Sequence, residues 1–204
     1  GLTINRFCSS GVQSIASGAQ QILTNMSDIV VAGGTESMTK IPMGGNKFAA
    51  NPTIMEEYPE IYISMGATAE NVAAKFGVSR EEQDAFAAES QQRAAAAQEA
   101  GRLDDEIFEV HTTVYDANGE PHAISLKKDT INRPNTTAEG LAKLRPAFRP
   151  KGGTVTAGNA SPLTDGAAAS VLMTEEKAKE LGIEPLGYFV NFQVAGVPPE
   201  IMGI

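Results

Sequence analysis

Cysteine occurs once in 204 residues, at Cys8, and tryptophan not at all. A lone thiol excludes an internal disulfide framework and a multi-cysteine metal site. Aromatic residues make up 6% of the chain, which leaves little surface for stacking nucleobases. Lys and Arg number 16 against 25 Asp and Glu, a net charge of −9. That sign argues against nucleic acid or an anionic membrane surface as the main partner. No run approaches the roughly 18 uninterrupted apolar residues of a membrane-spanning helix. Neither a Walker sequence nor a dinucleotide fingerprint occurs, Gly33-Gly34 being too short to count as one. An initiator Met is missing as well. The chain opens on Gly1-Leu2-Thr3-Ile4 and reads as the interior of a longer protein, so a targeting signal could precede it.

What is present falls into three zones. Residues 1–37 are rich in Ala, Ser and Gly and nearly uncharged. Residues 38–152 carry most of the charge and the prolines Pro42, Pro52, Pro59, Pro121, Pro134, Pro146 and Pro150. Residues 153–204 are again small and apolar. A polar zone between two apolar ones predicts an excursion from one core that the chain leaves and rejoins. In the first zone Val12, Ile15, Ala16, Ala19, Ile22 and Leu23 recur at helical spacing, in a helix starting near Cys8-Ser9-Ser10. Ile29–Ala32 then forms an apolar run of strand length. This order predicts an α/β fold, a layered core with covered sheet faces. Ile29–Ala32 and the second such run, Ala167–Met173, are expected side by side in one sheet.

The middle zone opens with a Pro/Gly-rich loop from Ile41 to Pro59. A helix is predicted over Met65–Phe76, ending at Gly77. Ser79-Arg80-Glu81-Glu82 has the form of a capping box and starts a helix to about Ala100. Phe108–Tyr115 alternates, and Asp116-Ala117-Asn118-Gly119 is turn chemistry, so a hairpin into Ala123–Leu126 is expected. In the last zone Thr174–Leu181 reads as a helix stopped by Gly182, and Leu186–Val194 as a further strand.

Three features bear on chemistry, each with two readings. Cys8 lies in Asn5-Arg6-Phe7-Cys8-Ser9-Ser10-Gly11, ahead of an amphipathic helix. Helix N–H groups aimed at its sulfur suit an anionic thiolate and an oxyanion on a bound thioester; the other reading is a small packed residue. The stretch Gly153–Gly166 combines small residues, which admit a ligand to the backbone, with Ser and Asn donors and acceptors; alternatively it is a tight structural loop. Between Lys127 and Lys151, seven basic residues face only Asp129 and Glu139, a local excess that suits a polyanionic small molecule or serves as a solvated face. His111 and His122 flank the predicted hairpin turn without metal-ligand spacing and read as surface residues.

These segments together resemble the thiolase family. Asn5–Gly11 is similar to its nucleophile segment, and Val30–Met38 to the strand and turn that follow. Ser64–Asn71 and Ser79–Phe86 resemble the loop-domain helices. Leu144–Phe148 and Val155–Ala169 resemble the return to the core. The match covers essentially the whole chain in order. Pro42-Met43-Gly44-Gly45 and the short loop to Met65 look more like degradative 3-ketoacyl-CoA thiolases than acetoacetyl-CoA thiolases. The fold implied is a partial thiolase αβα core, residues 1–37 and 153–204, interrupted by an α+β loop domain, residues 38–152, for CoA binding and oligomerisation.

The resemblance implies that Cys8 attacks the 3-keto carbonyl of a 3-ketoacyl-CoA, becomes acylated and passes the acyl group to CoA, with its own N–H in an oxyanion hole. It places Met65 beside the reacting thioester, Ala157 and Ser161 along the pantetheine path, and Arg133 and Phe148 by the CoA nucleotide. CoA and acyl-CoA are substrates. No metal and no permanently bound cofactor is expected, and no nucleic acid or membrane partner. A homodimer or homotetramer is expected, in a bacterial cytoplasm, with mitochondrion and peroxisome left open by the absent N-terminus. The family's Gly-His-Pro, Asn-Glu-Ala-Phe and Cys-x-Gly-Gly segments do not occur here. The expectation is an internal fragment, without the C-terminal half and inactive alone. Ser64, Gly140 and Thr164 depart from residues common in the family, which bears on substrate preference. A non-catalytic CoA-binding or oligomerisation module is the second reading, and a cysteine hydrolase using His111 or His122 a third.

Overall fold

The structure, a computed structural model, describes residues 1–204. A 3₁₀ turn, Phe7–Ser9, leads into α1 (Ser10–Leu23), then β1 (Ile29–Glu36), α2 (Pro52–Glu57), a second 3₁₀ turn (Pro59–Tyr62), α3 (Met65–Phe76), α4 (Arg80–Glu99), the hairpin β2 (Val110–Tyr115) and β3 (Pro121–Leu126), α5 (Ala138–Ala142), β4 (Gly166–Met173) and α6 (Glu175–Leu181). No helix is long and apolar enough to cross a membrane. The chain divides into two compact units. One comprises residues 1–49 and 163–196; the other comprises 50–162 and 197–204.

In the first unit β1 and β4 pair antiparallel, from Ile29 opposite Met173 to Glu36 opposite Gly166, so the two apolar runs are neighbours as expected. Helix α1 packs on one face of this ribbon. Its buried Ala16, Ala19 and Ile22 meet the side of the strands that carries Val30, Ala32 and Leu172. Gly18 permits the approach, because a Cβ there would lie 2.9 Å from Leu172 Cδ1 and 3.1 Å from Val30 Cγ1. The expectation of covered sheet faces is corrected on the opposite side, where Val31 is 69% and Val171 60% exposed. Two strands and one helix cover one face only. The strand expected at Leu186–Val194 is also absent. This segment is irregular, because no strand of the chain pairs with it, and a strand without a partner leaves its backbone groups unmet.

In the second unit local signals set the helix boundaries. Ser79 and Glu82 form a reciprocal capping box on α4, and α3 stops at Gly77, whose φ of +71° only a residue without Cβ adopts cheaply. Helix α2 lies inside the stretch expected to be loop. Asn51 caps it, accepting from the N–H groups of Thr53 and Ile54, and Pro52 suits its first turn. The hairpin pairs Val110 with Leu126 through Tyr115 with Pro121. Residues 199–201 form a 3₁₀ turn that packs against α3, with Ile201 buried and Asn71 Nδ2 donating to the Glu200 carbonyl at 3.0 Å.

The β1–β4 register leaves no space for a side chain at Gly33, where a Cβ would lie 2.6 Å from the Ala168 carbonyl oxygen and 3.0 Å from Ala169 Cα. Gly33→Ala is therefore expected to cost about 1–3 kcal/mol in urea unfolding. Gly34→Ala, where a Cβ faces open space, is expected to leave stability within about 0.5 kcal/mol.

Candidate functional site

The segment before α1 is a hydrogen-bonded turn. Asn5 Oδ1 accepts from the Phe7 N–H at 2.8 Å. Ser10 Oγ accepts from the Arg6 N–H at 2.8 Å and donates to the Phe7 carbonyl at 2.7 Å. Ser9 N–H closes the turn on the Arg6 carbonyl at 3.0 Å, and Arg6 Nε donates to Gln13 Oε1 at 3.0 Å. These contacts hold Phe7 at φ +45°, a left-handed conformation that a bulky residue adopts only under constraint. Cys8 follows this strained residue and is exposed, two residues before the first turn of α1.

In the second unit one loop, residues 154–161, is gripped from two helices. Helix α3 supplies Glu70, 2% exposed. Its carboxylate accepts from the Thr154 N–H at 2.9 Å to each oxygen, from the Val155 N–H at 2.9 Å and from the Thr154 hydroxyl at 3.0 Å. Burial alone would push the Glu70 carboxyl up. The backbone donors of Val155 and Thr154, the Thr154 hydroxyl and the nearby Arg149 charge outweigh it, and hold the group below its ordinary 4.5. Helix α4 supplies Asp84, 3% exposed, which accepts from Asn159 Nδ2 at 2.9 Å and from Arg80 Nε at 2.7 Å. Asn159 also donates to the Thr154 carbonyl and accepts from the Thr156 N–H, so the loop is braced internally. Arg80 reaches on to the carbonyls of Leu141, at 2.7 Å, and Leu144, at 3.1 Å.

The six residues singled out from the sequence are all exposed, and they fall into both units. Cys8 lies in the first. In the second, Met65 opens α3 and the Phe148 ring covers the adjoining Gly66 so closely that a Cβ there would sit 2.2 Å from the ring. Ala157 and Ser161 share the braced loop. Arg133 lies on the segment after the hairpin, its N–H donating to Gln91 Oε1 of α4 at 2.8 Å while its guanidinium has no partner in the chain. His111 and His122 are surface residues of the hairpin, beside Ser125 and Asp116. Of the basic stretch, Lys127 pairs with Glu109, and Arg149 donates to Asn71.

Glu70 and Asp84 are the residues that reading the sequence missed, while Asn159 stands out there only as part of the Gly153–Gly166 stretch. A signal for the first two exists in retrospect. Gly66, Glu70, Ala73 and Gly77 share one helical stripe, as do Asp84 and Ala88. An acid on a stripe of small residues marks a buried carboxylate in need of donors.

The thiolase N-terminal domain family matches residues 1–176. The chain is 51% identical to a 3-ketoacyl-CoA thiolase of Bacillus subtilis, over all of this chain and 53% of that protein. It is 49% identical to the human peroxisomal 3-ketoacyl-CoA thiolase, over 99% of this chain and 48% of that one. Among solved structures, the dimeric peroxisomal thiolase of Saccharomyces cerevisiae superimposes with a TM-score of 0.83 at 39% identity, covering 98% of this chain and 50% of that one. Human mitochondrial 3-ketoacyl-CoA thiolase in complex with CoA gives 0.78 at 39%, covering 99% and 52%. The chain spans about half the length of the curated relatives it matches, and its mixed helix-and-strand architecture is part of the thiolase fold.

The Glu70 clamp has a signature in acid. Its carboxyl is held low in the folded chain, so the contact adds stability above the ordinary value of 4.5 and loses it as pH falls through the lower folded value. Exposed carboxylates that accept from backbone N–H groups, among them Glu82, Asp116 and Asp165, are also held low, but they are common to variant and parent. Urea unfolding from neutral pH downward is expected to show a shallower acid loss for Glu70→Gln than for the unaltered chain; equal slopes would contradict the clamp.

Proposed function

The chain belongs to the thiolase family, and we propose that within its whole protein it supplies the nucleophile and most of the CoA-binding surface of an acetyl-CoA C-acyltransferase. The observation that carries this reading is Cys8, exposed next to a strained residue in the segment that resembles the family's nucleophile. The thiolate of Cys8 adds to the 3-keto carbon of a 3-ketoacyl-CoA, and the carbonyl electrons move to oxygen, where the Cys8 N–H is a donor. Collapse breaks the bond between C2 and C3. The acyl group stays on sulfur, and the electron pair leaves on C2 as the enolate of acetyl-CoA, which takes up a proton. A CoA thiolate then attacks the acyl-cysteine, and Cys8 departs as thiolate with acyl-CoA as the second product. The reverse sequence is a condensation.

In this reading Arg133 meets the phosphates of CoA, for which its unpartnered guanidinium is suited. Phe148 packs by the nucleotide, Ala157 and Ser161 line the pantetheine path, and Met65 stands at the thioester. Their exposure, the seating of Phe148 beside Met65 and the shared loop of Ala157 and Ser161 support it. Residues 38–152 act as the loop domain, and the whole protein is a homodimer or homotetramer; the yeast relative is described as dimeric. Identity to the Bacillus subtilis enzyme supports a bacterial cytoplasm, and the human peroxisomal and mitochondrial relatives make the peroxisome and the mitochondrion the alternatives.

Steady-state kinetics and CoA titration on the whole protein separate the roles. Cys8→Ser is expected to lower acyl transfer by orders of magnitude with little change in CoA affinity. Arg133→Ala is expected to weaken CoA binding while bound substrate still reacts. Near-normal turnover of Cys8→Ser would remove the mechanism. Because the Gly-His-Pro segment does not occur in these 204 residues, they lack that acid–base group, whose help is typically worth about 10²–10⁴-fold. The chain by itself is therefore expected to release little or no acetyl-CoA from acetoacetyl-CoA.

A further inference from the structure

We propose that Glu70 is a positioning residue for the ligand-binding surface, holding from beneath the loop that carries Ala157 and Ser161 on the same helix that carries Met65 and seats Phe148. This rests on the assignment of those four residues to CoA.

Three observations on α3 converge. Met65 is its first residue. Gly66 lies directly under the Phe148 ring, where any Cβ would collide at 2.2 Å. Glu70, one turn further along the same stripe, receives every donor that the loop entry offers: the N–H groups of Thr154 and Val155 and the Thr154 hydroxyl. The backbone comes so close at Gly153 that a Cβ would lie 2.8 Å from Glu70 Oε1 and 2.2 Å from the Arg149 carbonyl oxygen. Helix and loop entry therefore admit no slack.

The chemistry calls for an ionised carboxylate. Only an acceptor-only group meets two N–H donors and one O–H donor at once, and a side-chain amide would turn an NH₂ toward them. Glu70 is covered by the loop it holds, so a ligand resting on Ala157 and Ser161 would not touch it. Its effect on binding is transmitted through the backbone of Thr154 and Val155 and then through the Thr156–Asn159 turn, where Asn159 Oδ1 accepts from Thr156 N–H at 2.8 Å. Glu70 thus keeps the Ala157–Ser161 wall at a set distance from Met65 and Phe148, a spacing that an extended thiol ligand would read.

The test is calorimetric titration of CoA into the whole protein, with hydrogen exchange of the amides from 154 to 161 and the thermal midpoint measured on the same samples. Glu70→Gln is expected to weaken CoA about tenfold and to speed exchange of the loop amides, the loss of one charge-assisted contact. Thr174→Ala, which removes the α6 cap in the other compact unit, is expected to lower the midpoint with affinity unchanged. That outcome separates positioning from general stability. Thr154→Val deletes only the hydroxyl that donates to Glu70 and is expected to weaken CoA about threefold; it replaces Glu70→Gln if that variant does not fold. Parental affinity in the folded Glu70→Gln chain, or in Thr154→Val in its place, would overturn the proposal alone. An unaltered whole protein that binds no CoA would overturn the assignment of the CoA residues, and this proposal with it.

Discussion

A buried carboxylate costs several kcal/mol unless its lone pairs are met, and in the second unit that requirement falls on Glu70. Its donors come from 84 and 85 residues further along the chain. Meeting it brings the entry of the 154–161 loop against α3 and leaves that loop few other places to go. The next links follow from the same need. Asn159, fixed in the loop, reaches Asp84 on α4. Asp84 is shared with Arg80, whose Nη2 donates to the carbonyls of Leu141 in α5 and Leu144 just beyond it. Two helices, a loop and a short third helix are thereby joined through four polar side chains.

Such a network needs close backbones, and the composition supplies them. Gly66, Ala73, Ala88, Gly153 and Gly158 stand where larger residues would push the elements apart; a Cβ at Gly158 would fall 2.4 Å from Leu141 Cδ2. The core of this unit combines apolar side chains, among them Leu141, Val155 and Ile201, with the buried polar Thr68, Glu70, Asp84 and Thr156. The polar part adds donor–acceptor matching, which tolerates substitution less well than apolar packing does.

The first unit works differently. Helix α1 closes on the β1–β4 ribbon through Ala16, Ala19 and Gly18, with one side chain of size, Ile22, buried on the helix. The local strain lies at Phe7, where two side chains, Asn5 and Ser10, tie the backbone before the helix begins and Gln13 holds the Arg6 side chain. In the proposed reaction the thiol must approach a carbonyl carbon along a defined line, and a pre-set turn removes the entropy of finding it.

Local features were legible in the sequence alone. The capping box at Ser79, the stops at Gly77 and Gly182, the turn at Asp116–Gly119 and the apolar runs that became β1 and β4 are each set by neighbours a few residues apart, whose sterics and hydrogen bonds act before any tertiary contact forms. The resemblance at Asn5–Gly11 and Val155–Ala169 pointed to the family on the same terms. Leu186–Val194 shows the limit: its apolar pattern permits a strand, but a ladder needs a second chain segment, and none pairs with it here. Only the tertiary structure decided which face of the β1–β4 ribbon is covered, that the Phe148 ring lies on Gly66, and that Glu70 and Asp84 are interior groups rather than two more surface acids in a chain with 25 of them. A carboxylate's role depends on which donors reach it, and those donors stand 84 and 75 positions away, a separation that no local pattern encodes.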